Sequence, residues 1–244
     1  MPRLIVVIPT YNEADNIEPM SAALLKLGLP DLSILYIDDN SPDGTGKIAD
    51  NQAELFPNKI SVMHRAGKLG LGSAYISAFK WALEHDADVV CQMDADFSHN
   101  PESIPALLEE SSNSDFVIGS RYVPGGKLDE RWGPGRVMLS RFGNAYARTI
   151  LRLPIQDATG GFRIWNRKVL ESMPLDRIRS NGYIFQVETA FVAHRLGFSH
   201  GEVPIYFEDS RIGQSKMSFR IQMEAAIRVW QLPFLYRDIH PATS

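Results

Sequence analysis

The sequence predicts an α/β domain in which a mostly parallel central sheet is flanked by helices. Short apolar runs rich in β-branched residues alternate with longer segments whose apolar residues recur at three- and four-residue intervals. This strand–helix alternation is typical of a parallel sheet covered by helices. The length of 244 residues and the hydrophobic fraction of 44% suit one large globular domain.

The first half of the chain contains five predicted strands and four predicted helices. The strands are the apolar runs Leu4–Ile8, Ser33–Ile37, Ile60–Met63, Asp88–Met93 and Asp115–Gly119. Helical periodicity marks the segments Asp15–Leu27, Thr45–Leu55, Gly72–Glu84 and Glu102–Glu110. Because ligands of parallel sheets bind beyond the carboxyl ends of the strands, the residues directly after each apolar run are the candidates for a site.

The second half of the chain opens with a long segment, residues 121–135, that is rich in Gly, Pro and charged residues. Its composition predicts a loop, and loops of this length are often lids over a site. Helices are predicted at Arg136–Leu151, Arg167–Ser172, Phe185–Leu196 and Phe219–Leu232. Two further strands, Phe162–Trp165 and Val203–Phe207, are expected to join the same sheet. No linker or repeat divides the chain, so we expect a single domain over residues 1–244.

Several classes of protein are excluded by composition and spacing. The longest apolar runs are about five residues, whereas a membrane helix needs roughly 20, so no transmembrane segment and no signal peptide are expected. The six histidines lack the spacing of zinc ligands, and residues 67–72 fit neither a dinucleotide nor a Walker pattern and are interpreted as a tight turn. The lone Cys91 is interpreted as a core residue in a reducing cytoplasm. No nucleic-acid partner is expected.

Acidic residues follow three of the predicted strands. Glu13 follows the first, Asp38 and Asp39 follow the second, and Asp94 and Asp96 follow the fourth. Carboxylates packed at one edge of a sheet repel one another and raise each other's pKa, and a divalent cation removes that cost. Hard oxygen ligands favour Mg²⁺ or Mn²⁺. The sequence therefore predicts a cation site at this edge of the sheet.

Helix capping and turn formation are the alternative roles of these aspartates. Asn100, directly before Pro101, already suits the cap of the helix that follows Asp94 and Asp96. The segment from Asp38 to Gly44 is also a good turn sequence, so the turn interpretation is stronger there.

Seven motifs in order resemble a known family. They are Ile8-Pro9-Thr10-Tyr11-Asn12-Glu13, Asp38-Asp39-Asn40-Ser41-Pro42-Asp43-Gly44, Lys68-Leu69-Gly70-Leu71-Gly72, Asp94-Ala95-Asp96, Gly119-Ser120-Arg121-Tyr122, Asp157-Ala158-Thr159-Gly160-Gly161-Phe162-Arg163 and Gly213-Gln214-Ser215-Lys216. Together they resemble the polyprenol (dolichol) phosphate mannosyltransferases, which are inverting GT-A enzymes of glycosyltransferase family two. The resemblance implies a GT-A fold and the transfer of mannose from GDP-mannose to a polyprenyl monophosphate, with inversion to the β-linked product.

The resemblance also implies a donor site. The nucleobase and ribose would be held by Pro9, Tyr11, Glu13, Ile37 and Asp39. The nucleotide sugar would contact Asp94, Ala95 and Asp96, and the metal would be held by Asp94, Asp96 and, more weakly, Ser98. Arg121 would face the phosphates of the donor, and Lys216 would reach the diphosphate from a mobile loop. Family members usually carry arginine at the position of Ser210, so the neighbouring Arg211 is the candidate that replaces it.

For the acceptor, the resemblance implies a phosphate site formed by Arg121, Arg136 and Ser140. It also implies that residues 121–135 and 208–218 are mobile loops at the active site. A lipid monophosphate is already anionic at neutral pH, so no strong general base is needed. An alcohol acceptor would need one, and Asp157 or an aspartate near Asp94 is then the candidate.

The distribution of charge and apolar residues predicts contact with a membrane. Residues 1–120 carry 18 acidic and 7 basic side chains, and residues 121–244 carry 11 acidic and 18 basic ones. The basic stretch 121–152 also contains Trp132, Met138 and Phe142, which suits an element at the surface of an anionic bilayer. We therefore expect peripheral attachment to the cytoplasmic membrane leaflet. The alternative is an amphipathic core helix with a solvated basic face, and core packing is the favoured interpretation of the final helix.

Two other functions remain open at this point. A related transferase that uses UDP-glucose or another nucleotide sugar fits the same motifs, because nothing in them separates guanine from uracil. A catalytically inactive module that binds a nucleotide sugar for a partner enzyme is the second alternative, and Ser210 is the residue that favours it.

Overall fold

A computed structural model gives the structure of residues 2–209 and 219–241, with the side chains of the last helix described from residue 225 onward. Its centre is a seven-stranded sheet in the order β3-β2-β1-β4-β7-β5-β8. A second sheet pairs β6 with β9. The strands are β1 (Leu4–Thr10), β2 (Leu32–Asp38), β3 (Ile60–His64), β4 (Val89–Gln92), β5 (Phe116–Ser120), β6 (Lys127–Leu128), β7 (Arg163–Asn166), β8 (His200–Pro204) and β9 (Tyr206–Phe207).

Helices cover both faces of the large sheet. They are α1 (Ala14–Lys26), α2 (Thr45–Leu55), α3 (Leu71–Glu84), α4 (Ile104–Glu110), α5 (Pro134–Leu151), α6 (Arg167–Ser172), α7 (Tyr183–Arg195) and α8 (Phe219–Leu235). All strands of this sheet run in the same direction except β7, which is antiparallel to both β4 and β5. The predicted fold class is confirmed.

The core consists of two apolar layers, one on each face of the sheet. Along β1, Ile5 and Val7 join one layer while Val6 and Ile8 join the other, because successive side chains of a strand point to opposite faces. Strands buried on both faces read as continuous apolar runs, and this is why they were recognisable in the sequence. Cys91 is fully buried in one of these layers, as expected.

The predicted strand Val203–Phe207 is in fact divided between the two sheets. Its first part extends β8, and its last two residues form β9 beside β6. The division occurs at Ile205, whose N–H donates to the Ser120 carbonyl at 3.0 Å while its own carbonyl accepts from the Lys127 N–H at 2.9 Å. The expectation that all of Val203–Phe207 joins the central sheet is therefore wrong.

The segment 121–135, expected as a loop, contains β6 and the first turn of α5. The buried Asp129 carboxylate anchors it by accepting from the Arg131 side chain and, at 2.9 Å, from the backbone N–H of Asp209. These bonds join the middle of the expected lid to Asp209, in the described part of the second expected loop. Residues 210–218 of that loop lie outside the described residues.

The outer faces of α5 and α8 are apolar. Met138 and Phe142 on α5 are 71% and 66% exposed, and Trp230 and Phe234 on α8 are 59% and 75% exposed. For these α8 side chains and Ile227, core packing is the wrong interpretation, because the core is contacted by Val229 and Leu232 instead. Among the described residues, no helix is long and apolar enough to cross a membrane.

Candidate active site

The candidate site lies where the carboxyl ends of β1, β2, β4 and β5 meet. Since these strands are mutually parallel, the residues that follow them share one edge of the sheet. Three of the predicted carboxylates lie within electrostatic reach of one another: burial is the largest cause of the raised pKa of Glu13, and the charges of Asp96 and Asp94 raise it further.

Asp94 lies two residues after the end of β4, beyond Met93. Two buried aromatic side chains hold it in position. The Tyr75 hydroxyl of α3 lies 3.1 Å from Asp94 Oδ1, and His99 Nδ1 accepts from the Asp94 N–H at 3.1 Å. Burial lowers the pKa of His99, so the ring is neutral, and its proton is on Nε2. Burial, and secondarily the charge of Asp96, raise the pKa of Asp94. Among the described residues, the Asp94 carboxyl group has no cationic partner within hydrogen-bonding distance.

A tight turn directs Asp96 toward the same edge. Phe97 has φ 61, a left-handed conformation that is uncommon for a residue with a side chain. In this turn the Ser98 N–H donates to Asp96 Oδ1 at 3.0 Å. Ser98 itself is buried at 3% exposure beside the carboxylate that it supports. As expected, Asn100 rather than either aspartate caps the following helical turn, by accepting from the Glu102 N–H.

Glu13 shows how strongly the carboxylates interact. Burial, followed by the charges of Asp96, Asp94 and Asp43, raises the pKa of Glu13 to about 7, although Asn16 donates to it at 2.6 Å. A cation among these groups would relieve this repulsion. Among the described residues, no group of three or more His, Cys, Asp or Glu side chains is preformed as a metal cage. Two carboxylates with remaining positions for ligand oxygens suit Mg²⁺ or Mn²⁺, so the residues fit the predicted metal.

The acidic residues after β2 are held by protein groups. Asp39 is buried, with Oδ1 accepting from Arg65 at 2.7 Å and Oδ2 from the Leu69 N–H at 3.2 Å. Asp38 accepts from the Ser41 hydroxyl at 2.5 Å, and Asp43 from Thr45, which is the turn chemistry weighed as the alternative.

The glycine-rich turn before α3 closes over the end of β1. Lys68 lies over the Tyr11 ring, with its Nζ 3.9 Å from the ring centroid, and Gly70 has φ 98, which favours glycine. The turn therefore places a cation beside the residues implied for the nucleotide. Pro9 lies partly exposed at the end of β1.

Two residues implied for the donor site have no side chain open to a ligand. Ile37 is fully buried within the core, and Ala95 is 3% exposed. Both side chains pack in the apolar layers.

Arg121 and Asp157 form a buried ion pair below the end of β5. Asp157 accepts from Arg121 Nε and Nη2, both at 2.7 Å, and from the Arg121 backbone N–H at 3.0 Å. The guanidinium keeps the pKa of Asp157 below its usual value, despite the opposing effect of burial. A carboxylate held in this way is a poor proton acceptor, so the geometry favours a positioning role for Asp157. In the described structure, Arg121 Nη1 donates to no protein group, and it is available to a ligand.

The three residues implied for the acceptor phosphate lie close together. The Tyr122 ring lies 5.2 Å from the Arg121 guanidinium, and its hydroxyl is 2.7 Å from the Ser140 hydroxyl. Arg136 precedes Ser140 by one turn of α5 and therefore shares its helix face. In this structure Arg136 pairs with Asp209 at 2.7 Å and stacks on Trp132.

Lys216, Arg211 and Ser210 lie outside the described residues, so their predicted roles stay predictions. Sequence reasoning missed the buried Tyr75 and His99, which hold Asp94, and Arg65, which holds Asp39. It also missed Tyr183, whose pKa is raised by desolvation and by the charge of Asp94, against the opposing effect of Arg121. The spacing of His99 five residues after Asp94 was a usable signal, whereas Tyr75 and Arg65 become neighbours of the site only through the fold.

Two known proteins are similar to this chain over most of its length. Undecaprenyl-phosphate mannosyltransferase of Micrococcus luteus is 45% identical to this chain over 227 residues, covering 93% of the chain and 92% of that protein. Polyprenol monophosphomannose synthase of Mycolicibacterium smegmatis is 43% identical over 228 residues, covering 93% and 85%.

The fold is shared with glucosyl-3-phosphoglycerate synthase from Mycobacterium tuberculosis. The crystal structure of that protein in complex with Mn²⁺, UDP and glucosyl-3-phosphoglycerate has a TM-score of 0.65 at 18% identity, covering 100% of this chain and 82% of that one. A sequence profile described as "Glycosyl transferase family 2" matches residues 5–173, which include β1 to β5, both aspartates after β4 and the Arg121–Asp157 pair. The chain therefore belongs to glycosyl transferase family 2.

Proposed function

We propose that the protein transfers mannose from GDP-mannose to a polyprenyl monophosphate, with inversion to the β-linked product. The observation that carries this proposal is the 45% and 43% identity, over 93% of the chain, to two proteins named for mannosyl transfer to a polyprenyl phosphate. The site is consistent with it, because it combines carboxylates suited to a metal–diphosphate donor with arginines suited to a second phosphate.

The donor would lie across the ends of β1, β2 and β4. Pro9, Tyr11, Glu13 and the backbone of Ile37 and Asp39 would hold the nucleoside. Asp94 and Asp96, with Ser98 as a weaker ligand, would hold Mg²⁺ or Mn²⁺ beside the backbone of Ala95. The ion would neutralise charge that develops on the leaving diphosphate. Lys216 and Arg211, which belong to the loop 208–218, would add to that neutralisation. We propose that this loop is mobile.

The acceptor phosphate would lie between β5 and α5. The free Nη1 of Arg121 faces no protein acceptor in the described structure, while Asp157 and Thr159 fix the rest of its guanidinium. Arg136 would exchange Asp209 for the phosphate, and the Ser140 hydroxyl would donate to it. The phosphate oxygen is anionic at neutral pH, so positioning for attack on the sugar opposite the diphosphate supplies the main acceleration. An alcohol acceptor with Asp157 as the base is disfavoured by the ion pair.

The test is transfer of radiolabelled sugar by the purified protein to polyprenyl phosphate in the presence of Mg²⁺ or Mn²⁺. We expect mannosyl lipid from GDP-mannose and none after chelation of the metal. Transfer from UDP-glucose instead would establish the related transferase as the correct function. Tight binding of GDP-mannose without turnover would establish the binding module.

We further propose peripheral attachment to the cytoplasmic leaflet through an apolar face, formed by Met138, Leu139, Phe142, Ile227, Trp230 and Phe234. The two helices are joined at its centre, where Trp230 Nε1 donates to the Tyr146 hydroxyl at 2.8 Å and the Tyr146 ring stacks on Phe142. Three arginines of the basic stretch, Arg141, Arg148 and Arg152, lie on α5 or directly after it. An apolar face beside cations suits insertion at an anionic lipid surface.

Vesicle flotation tests this attachment. We expect the double variant Trp230→Ser, Phe234→Ser to bind anionic vesicles roughly tenfold more weakly, because each exposed side chain would gain free energy on burial in the bilayer. Leu55→Ser, which removes an exposed leucine on α2 outside the apolar face, is the matched control. Equal flotation of both variants and of the unaltered protein would contradict the proposal.

A further inference from the structure

A chain of hydrogen bonds leads from the core to the candidate active site. The indole Nε1 of Trp165 donates to Gln92 Oε1 at 3.2 Å, and Gln92 Nε2 donates to Gln186 Oε1 at 2.7 Å. All three side chains are buried. An indole N–H can only donate, so it fixes the orientation of the Gln92 amide, and Gln92 in turn fixes that of Gln186.

The chain ends on an unused donor. Because Gln186 Oε1 accepts from Gln92, the Gln186 NH₂ group points away from the core. Among the described residues it donates to no protein acceptor, although Gln186 is only 4% exposed. This nitrogen is not among the solvent-excluded side-chain atoms that lack a partner, so a ligand or water can reach it, and a polar group that is mostly buried gains most from such a partner.

The space in front of this donor belongs to the active site. The point where Gly161 would carry a Cβ lies 3.5 Å from Gln186 Nε2, 3.8 Å from Asp94 Oδ2 and 3.4 Å from His99 Cε1. The Gln186 donor and the Asp94 carboxylate therefore flank the same small space, which is open because residue 161 has no side chain.

We propose that Gln186 Nε2 donates a hydrogen bond to a hydroxyl oxygen of the donor sugar, in the space beside Gly161 and Asp94. The proposal rests on the proposed function in one respect, that the site binds a nucleotide sugar. A neutral amide donor beside a carboxylate that can accept from a hydroxyl matches a sugar better than it matches a phosphate. Gln186 is thus a sugar-binding residue, and Gln92 and Trp165 are positioning residues.

The test compares a nucleotide sugar with the nucleotide that lacks the sugar. In the variant Gln186→Leu, calorimetry is expected to show about tenfold weaker binding of GDP-mannose, with GDP binding changed less than about twofold. Preference for GDP-mannose over GDP-glucose is expected to fall as well. Gln52→Leu, which replaces a buried glutamine on α2, is the matched control and is expected to leave all three affinities unchanged.

Two more variants keep the Gln186 side chain itself. Gly161→Ala adds a methyl group at ordinary contact distance from its neighbours, so the fold should tolerate it, while GDP-mannose binding falls and GDP binding does not. Trp165→Phe removes the group that orients both amides, so we expect a smaller loss in the same direction.

The outcomes separate this proposal from the proposed function. If the unaltered protein binds UDP-glucose rather than GDP-mannose, the donor assignment fails, and the same comparison is made between UDP-glucose and UDP. Equal losses for nucleotide and nucleotide sugar in Gln186→Leu, or no loss for either, would overturn the role of Gln186. Binding of neither nucleotide sugar to the unaltered protein would overturn both proposals.

Discussion

Replacement of Asp96 by alanine is expected to slow mannosyl transfer roughly 100- to 1,000-fold while leaving the protein folded. Asp96 is partly exposed, and among the described residues its side chain accepts one hydrogen bond, from the Ser98 N–H at 3.0 Å. Little of the fold depends on it. Its carboxylate is instead one of three that repel one another at the edge of the sheet, which is the arrangement that a divalent cation would stabilise.

The measurement is the initial rate with GDP-mannose and polyprenyl phosphate over a range of Mg²⁺ concentrations, together with the thermal unfolding temperature. We expect the half-saturating Mg²⁺ concentration to rise in Asp96→Ala and the unfolding temperature to stay close to that of the unaltered protein. Asp176→Asn, in an exposed ion pair with Lys80, serves as the control and should change neither quantity. A full transfer rate in Asp96→Ala would remove the basis for a metal at this site.

The second large effect concerns stability and comes from the Arg121–Asp157 pair. Replacing Asp157 by asparagine leaves a buried guanidinium without its counter-charge, and this is expected to lower the free energy of unfolding by about 3–5 kcal/mol. Arg121→Met leaves the carboxylate uncompensated in the same way. The double variant removes both charges, so we expect it to be more stable than the sum of the two single losses predicts.

Denaturant unfolding of the four proteins measures this coupling, and transfer assays on them separate the two roles weighed for Asp157. If Asp157 positions Arg121, Asp157→Asn retains measurable transfer, whereas Arg121→Met and the double variant lose roughly 100-fold or more, because the acceptor phosphate loses its arginine. If Asp157 is instead a general base, transfer is abolished in Asp157→Asn and the pH dependence of the residual rate changes. Additive losses in stability would contradict the buried pair.

Much of the fold was readable from the sequence because buried parallel strands and amphipathic helices have strong local signatures. Helix Thr45–Leu55 was predicted with both ends correct, and β1 to β5 were predicted with end errors of up to two residues. The errors fall where a longer-range contact decides. Tyr206 and Phe207 continue an apolar run beyond Pro204, and pairing with β6 places them in the second sheet.

The same distinction applies to the apolar residues of the last helix. Periodicity shows that Ile227, Trp230 and Phe234 share a face of α8, but it gives no indication of whether that face meets the core or the outside. Packing of α8 against α5 and α7 turns Val229 and Leu232 inward and leaves the other face exposed.

The sequence by itself determined the fold class, the family and the edge of the sheet at which the chemistry lies, since strand order in a parallel sheet puts the residues after each strand on one side. The tertiary structure decided which of those carboxylates are paired with a cation of the protein and which can bind a ligand. Asp39 and Asp157 are neutralised by Arg65 and Arg121, whereas Asp94 and Asp96 have no such partner at hydrogen-bonding distance within residues 2–209 and the described part of the last helix. The physical reason is that neighbours in space, rather than neighbours in sequence, determine whether a charged side chain is paired. The cations that pair with Asp39 and Asp157 come from positions 26 and 36 residues away along the chain.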